Sequence, residues 1–490
     1  MRTTIPSQLK LCELDIASIK INARSRDDIP QILRGLQYLY GERELREQIF
    51  AILTKLKPID VDTNIGRPGM DWWKILVMGT IRLNLNCDFD RLHELANEHR
   101  TIRQMLGHGF CDDDKEYALQ TIKDNVQLFT PEILDEINQV VVNAGLKLKK
   151  KEQIMARCDS FVVETDVHYP TDINLLYDAL RKAISGTAQY AEDLGINGWR
   201  QSGYNIRQVK RAYRQAQQLK RSTSQHEEKK QLRLDKIAQA HRDLIALCLT
   251  FIHKITDTLS TPSSQTTLIS SVQHIQIEKY ITHAKRQIDQ IERRVLQGEV
   301  IPHDEKVFSI FQPHTEWINK GKAGVPVELG LRVCIVESTE GYILHHQVMQ
   351  QTTDSDIAVS IITETQARYA NLTGCSFDKG FHSPANQIEL TKKLVTAVLP
   401  KKGKRNKIEV KRESDVEFRQ KKRQHSAVES GINALEIHGL DKCPDNGLHG
   451  FKRYVGLAIL ARNIQKLGAG LNKVQLLKEK RQRERNKLAA

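Results

Sequence analysis

Along the first 150 residues the apolar positions repeat with a helical period. Between Ile32 and Leu56, Leu33, Leu36, Leu39 and Tyr40 fall on one side of a helix. The run Trp72-Trp73-Lys74-Ile75-Leu76-Val77-Met78-Gly79 follows, then Leu92, Leu95, Ile102 and Leu106 at helical intervals. This spacing predicts an all-helical N-terminal domain over residues 30–150, with Trp72 and Trp73 in its core rather than on a base-stacking surface. The pattern changes at 153–168, where Val162-Val163 and their neighbours favour a strand that Pro170 ends. A helix beyond Thr171-Asp172 carries Leu176, Leu180 and Ile184 on one face. From 200 to 300 the chain is charged and reads as a long helical insertion, a hairpin in its simplest form. Strands return at 325–350, where Val333-Cys334-Ile335-Val336, a turn at Glu340-Gly341 and Tyr342-Ile343-Leu344 predict a hairpin. A helix over 355–371, a strand ending at Asp378, a helix over 385–394 and a short strand Val395 to Leu399 complete the pattern.

Charge alters this picture in two places. Residues 401–423 hold eleven Lys or Arg against four acids with little apolar periodicity, which predicts a mobile basic loop. The tail from Lys478 to Lys487 reads as a solvated, fraying helix. Within 200–300 stand Arg207, Lys210, Arg211, Arg214, Lys220, Arg221, Lys229, Lys230 and Arg233. Such a run is ordinarily a solvated helix face; its rival is a face that tracks phosphates.

At 490 residues the chain is too long for one ordinary core, so two to four domains are expected. Its 74 Lys and Arg against 60 Asp and Glu give a net charge of +14, which suits a polyanionic partner, nucleic acid first. The eight cysteines, at 12, 87, 111, 158, 248, 334, 375 and 443, never stand in Cys-x-x-Cys spacing. That argues against a zinc ribbon or a disulfide framework and for a reducing cytoplasm. The N-terminus has no apolar signal core, and stretches such as Leu244 to Ile252 fall far short of the roughly 20 residues of a membrane span. A soluble protein with no membrane partner is expected.

Three acidic stretches carry the candidate chemistry. They are Cys158-Asp159-Ser160-Phe161-Val162-Val163-Glu164, continuing through His168-Tyr169-Pro170-Thr171-Asp172; Cys375-Ser376-Phe377-Asp378-Lys379-Gly380-Phe381-His382-Ser383-Pro384; and His425-Ser426-Ala427-Val428-Glu429-Ser430-Gly431-Ile432-Asn433-Ala434-Leu435-Glu436. Each acid alone has an ordinary reading: Asp378 as a strand-to-helix turn residue, Glu429 as a surface position of an amphipathic helix. Val428, Ile432 and Leu435 form the apolar stripe of that helix, and His425, Glu429, Asn433 and Glu436 the polar one beside it.

Taken in order, the three stretches resemble the signatures of DDE insertion-sequence transposases, specifically the ISNCY-type group. The likeness extends to Pro313-His314-Thr315-Glu316-Trp317 and Gly450-Phe451-Lys452-Arg453-Tyr454, and covers most of residues 60–470. The resemblance implies an α+β protein: a helical N-terminal domain over 1–150 making DNA or dimer contacts, then an RNase H-like mixed-sheet core in two parts, 151–195 and 303–470. A helical insertion over 196–302 would interrupt that core, and a basic tail over 471–490 would follow it. It implies Asp159, Asp378 and Glu429 as catalytic residues and metal ligands, holding Mg²⁺, with Mn²⁺ the alternative. Hard oxygen donors suit such ions, and a pair of them clamps the attacking and leaving oxygens of a phosphodiester. Asp159 is the acid opening its strand and Asp166 the runner-up, with Glu164 and Asp172 close by. Lys379, His382 and Arg453 are further candidates for phosphate contact. The sequence departs from the Tyr-x2-Arg-x3-Glu-x6-Lys pattern of other transposases of this fold: Lys422, His425 and Glu436 stand at the Tyr, Arg and Lys positions. The implied function is binding of element ends, metal-dependent cleavage and strand transfer to target DNA, by a homo-oligomer in the bacterial cytoplasm at the nucleoid. A nuclease on the same fold without strand transfer, or a DNA-binding protein that has lost catalysis, is the alternative.

Overall fold

The computed structural model describes residues 14–56, 69–109, 115–149, 152–219, 226–261, 268–319 and 326–489. The chain divides into two compact units, one formed by residues 1–166 with 318–490 and the other by 167–317. Its class is α+β, mostly helical, with one mixed open sheet.

Among the described residues, after a 3-10 turn at Ile16–Ser18, the first unit has seven α-helices before its sheet: α1 (Asp28–Gly41), α2 (Arg43–Thr54), α3 (Trp72–Asn84), α4 (Phe89–Glu98), α5 (Arg100–Met105), α6 (Leu119–Val126) and α7 (Pro131–Lys149). Asp27 starts α1 by accepting the Ile29 N–H at 2.8 Å, satisfying one of the free donors of the first turn. In α3 every side chain except Lys74 is buried, as a helix apolar on all sides must be. Trp73 is 1% exposed and its indole N–H donates to the Met105 carbonyl at 3.0 Å, so the tryptophan pair is core, as expected. After α7 the chain enters β1 (Ile154–Thr165).

Among the described residues the second unit holds four α-helices, α8 (Asp172–Asp193), α9 (Ser202–Gln218), α10 (Glu227–Leu259) and α11 (Leu268–Ile291), the last running into a π-helical turn, Glu292–Leu296. They share a core of their own, with Leu176, Leu180 and Ile184 of α8 against Leu244, Cys248 and Ile252 of α10 and Ile277 and Ile281 of α11. Residues 196–302, expected as the insertion, lie inside this unit, which also takes in α8.

The remaining strands are β2 (Glu316–Asn319), β3 (Val327–Ser338), β4 (Ile343–Val348), β5 (Leu372–Phe377), β6 (Thr396–Val398) and β7 (Lys442–Cys443). The sheet order is β2-β3-β1-β5-β6, with β4 paired to β3 and β7 to β1. β3 and β4 form the expected antiparallel hairpin, and β3 runs antiparallel to β1. β5 is parallel to β1 and β6 parallel to β5. Between the strands lie α12 (Asp354–Arg368), α13 (Pro384–Lys393), α14 (Lys407–Ser414), α15 (Val416–His425) and α16 (Ala427–Leu435), and α17 (Gly447–Ala489) closes the chain. The stretch 401–423, expected as a mobile loop, is therefore mostly helical. A capping box between Asn406 and Glu409 starts α14, Asp415 caps α15, and Phe418 anchors α15 at 8% exposure.

α17 packs along α1, α3 and α7 and so ties the N-terminal helices to the sheet unit's C-terminus. Its approach to α1 demands glycine: a Cβ on Gly468 would stand 1.9 Å from the Gln31 carbonyl oxygen, and one on Gly35 2.2 Å from that of Ile464. Asn463, fully buried on α17, accepts the Ile343 N–H at 2.9 Å and donates to Asn138 at 2.7 Å, locking helix, α7 and β4 together.

Candidate active site

β1 has β3 along one edge for most of its length. Along the other, β5 pairs with residues 154–158 and β7 with 164–165. The sheet thus opens just after Cys158, and Asp159 stands at the opening. Cys158 lies opposite Phe377 in the parallel ladder. One step along each strand sets Asp159 beside Asp378, the first residue past β5. Side chains alternate across a strand, so Arg157, Asp159, Ser376 and Asp378 share one face, while Ser160 points to the other.

The α15–α16 segment lies over the first face. His425 at the end of α15 places its Nδ1 3.0 Å from the Ser376 hydroxyl. α16 packs on β1, and Gly431 comes so close to β3 that a Cβ there would meet the Glu337 carboxylate at 2.5 Å. Glu429, exposed on the first turn of α16, lies close enough for its charge to act on Asp159 and His425. Asp378 is also exposed; its carboxylate accepts the Gly380 N–H and caps a short 3-10 turn, Lys379–Phe381.

The opposite face brings in an acid that sequence reading did not single out. Asp354, at the start of α12, accepts the Ser160 hydroxyl at 2.6 Å, and a Cβ on Gly380 would meet its carboxylate at 2.9 Å. Ser160 therefore joins two acids, since its backbone N–H donates to Asp159 at 2.8 Å.

Electrostatics bind the set together. Burial pushes the Asp159 carboxyl up to about 7; the Ser160 N–H opposes the rise, and the charges of Asp378, Asp354 and Glu429 add to it. Among the described residues no cation forms an ion pair with these acids, and Arg157, on the shared face, is engaged with Glu337 at 3.4 Å. Burial holds the His425 imidazole below its usual range, while Asp378 and Glu429 pull it up. Its Nε2 is buried and, among the described residues, has no hydrogen-bond partner.

The three nominated acids thus lie within electrostatic reach of one another. The alternatives to Asp159 do not join them. Asp166 pairs with Lys442 at 2.7 Å beyond the far end of β1, where both line a cleft of about 880 Å³ together with Arg82, Asp88, Asp445 and Arg453. Asp172 belongs to the second unit and pairs with Arg294 at 2.8 Å. Arg453 is spent on Asp445 at 2.8 Å and on the Gln127 carbonyl at 2.9 Å, which removes it from the candidates for phosphate contact. Lys379 remains exposed beside Asp378.

Among the described residues, no three His, Cys, Asp or Glu side chains are drawn together closely enough to hold an ion as they stand. The donor chemistry nevertheless fits a hard divalent cation. All the donors are carboxylate oxygens, one carboxyl is desolvated and surrounded by like charge, and a cation would relieve both. The nearby thiols are no competitors, because Cys158, Cys334 and Cys375 are buried in the core. Compared with known proteins, the chain matches no family model, no curated protein and no solved structure.

Proposed function

We propose that this chain is a DNA transposase of the DDE kind, which binds insertion-element ends, cleaves them in a metal-dependent reaction and joins them to target DNA. The observation that carries the reading is the convergence of Asp159, Asp378 and Glu429 on one opening in the sheet, with a desolvated Asp159 among like charges. The element order supports it: strand, helical segment, hairpin, helix, strand leading to Asp378, helix, strand and, later, the helix with Glu429 approximate the succession expected of an RNase H-like core.

Asp159, Asp378 and Glu429 would hold Mg²⁺, with Mn²⁺ the alternative; the ions would polarise water and neutralise charge on the scissile phosphate. The protein's own part is positional. Two acids sit at the edge of a rigid sheet, Ser160 fixes Asp159 from the adjacent backbone, and α16 brings Glu429 in from above. His425, held by Ser376, offers a buried, unpaired ring nitrogen beside Asp378 and Glu429. Element ends and target DNA are the partners, and a homo-oligomer acting at the nucleoid in the cytoplasm is part of the same reading. Among the described residues no helix is long and apolar enough to cross a membrane.

The test is the product pattern from labelled DNA carrying the element's own ends, incubated with protein and Mg²⁺. Joined strands support transposition. Free ends alone reduce the reading to a nuclease, and tight binding without products reduces it to a DNA-binding protein.

A further inference from the structure

The second unit carries a charged face that the candidate active site does not use. Of its four described helices, α9 alone lacks an acidic residue, as its sequence Ser-Gly-Tyr-Asn-Ile-Arg-Gln-Val-Lys-Arg-Ala-Tyr-Arg-Gln-Ala-Gln-Gln shows. Its cations are Arg207, Lys210, Arg211 and Arg214, at the i, i+3, i+4 and i+7 positions that put four side chains on one face. All four are exposed. The opposite face does the packing: Val209 and Ala216 are buried, and Ile206 and Tyr213 pack against the unit's core. Tyr204, 50% exposed, stands beside the basic stripe one turn before Arg207.

A solvated helix face normally neutralises itself. α10 does so, with Lys230 bonded to Glu227 at 2.7 Å, and α8 does so, with Arg181 bonded to Asp178 at 3.0 Å. None of the four α9 cations enters an ion pair among the described residues. Four like charges within one face repel one another, at a cost of a few tenths of a kcal/mol per i, i+4 pair. Among the described residues, no ion pair within the unit offsets that repulsion. A polyanion would.

We infer that the Arg207-Lys210-Arg211-Arg214 face of α9 binds the phosphate backbone of duplex DNA. From Arg207 to Arg214 the helix rises about 10 Å, comparable to the roughly 12 Å width of the major groove, so the stripe can reach several phosphates in one pass. The face carries no acid that could read a cytosine and no fixed amide pair, so it contributes affinity and register rather than sequence preference. This inference rests on the proposed function only in taking DNA as the polyanion. It does not need the acids of the sheet.

The experiment uses the full chain, with a fluorescently labelled DNA duplex of arbitrary sequence as the probe and EDTA present to prevent cleavage. Affinity is measured across a salt series for the wild type, for the fourfold variant Arg207→Gln, Lys210→Gln, Arg211→Gln and Arg214→Gln, and for Asp378→Ala. The fourfold variant should keep its circular dichroism and melting temperature, because the replaced groups are exposed and unpaired. It should bind roughly tenfold or more weakly at moderate salt, and its log–log salt slope should shrink by about two to four, near 0.9 for each phosphate no longer neutralised. Asp378→Ala should bind as the wild type does. An unchanged slope in the fourfold variant overturns the inference. So does loss of self-association with the slope intact, which would assign the face to a second copy of the chain. If the fourfold variant loses binding as expected and wild-type protein still neither cuts nor joins DNA, the proposed function fails and this inference stands.

Discussion

Replacing Asp159 with Asn should stabilise the metal-free protein, and by more as the pH rises. The carboxyl titrates at about 7 in the fold against an ordinary value of 3.8. A carboxyl whose folded pKa is raised holds its proton more tightly in the native state than in the unfolded chain. The stability this contributes is complete below about pH 4 and is lost as pH rises through about 7. Above that point the folded chain must carry a desolvated charge beside three others. A span of about three pH units, at about 1.4 kcal/mol each, sets a ceiling of about 4 kcal/mol. Asn keeps an oxygen for the Ser160 N–H but loses the charge-assisted part of that bond, so a gain of about 1–3 kcal/mol is expected at pH 8. Urea unfolding in EDTA at several pH values reads the effect. The advantage of the variant should be negligible near pH 3, grow with pH and level off above about 7. Added Mg²⁺ should stabilise the wild type more than the variant. A variant no more stable than wild type at pH 8, or a difference that does not change with pH, would refute the electrostatic account of the site.

Two further outcomes follow from local geometry. Asp354→Asn removes one of the like charges acting on Asp159, so the pH at which the wild-type penalty levels off should move downwards and the penalty should shrink in the same unfolding series; an unmoved upper limit would place Asp354 outside the cluster. Gly468→Ala places a Cβ 1.9 Å from the Gln31 carbonyl oxygen, so α1 and α17 must separate. That should lower stability by about 2–4 kcal/mol, read as a fall in melting temperature, whereas a neutral substitution would show the helix contact to be looser than described.

Much of the fold was legible because periodicity reports burial. The all-apolar run of α3, the β3–β4 hairpin and the Ser383-Pro384 start of α13 each follow from local chemistry that the structure keeps. The juxtaposition of Asp159 and Asp378 was not legible that way. It is set by a parallel register between strands more than 200 residues apart, and only the resemblance pointed to it. Asp354 escaped notice because an acid in the first turn of a helix has an ordinary role there, and the capping box of α12 belongs to its neighbours Thr353 and Asp356. The stretch 401–423 misled because its apolar signal is a few residues in two short helices. Its ion pairs, Lys401 with Glu409 at 2.6 Å and Lys421 with Glu417 among them, take up charge that looked unpaired in sequence. Arg453 misled in the same way, since its partner Asp445 is itself nearly buried.

The most direct measurement compares wild type with Asp159→Ala, Asp378→Ala and Glu429→Ala in Mg²⁺-dependent cleavage and joining of labelled element ends, with DNA affinity measured on the same preparations. Each variant should lose cleavage and joining by about a hundredfold or more while binding DNA as tightly as the wild type. Wild-type rates in Asp378→Ala would contradict the assignment of the site.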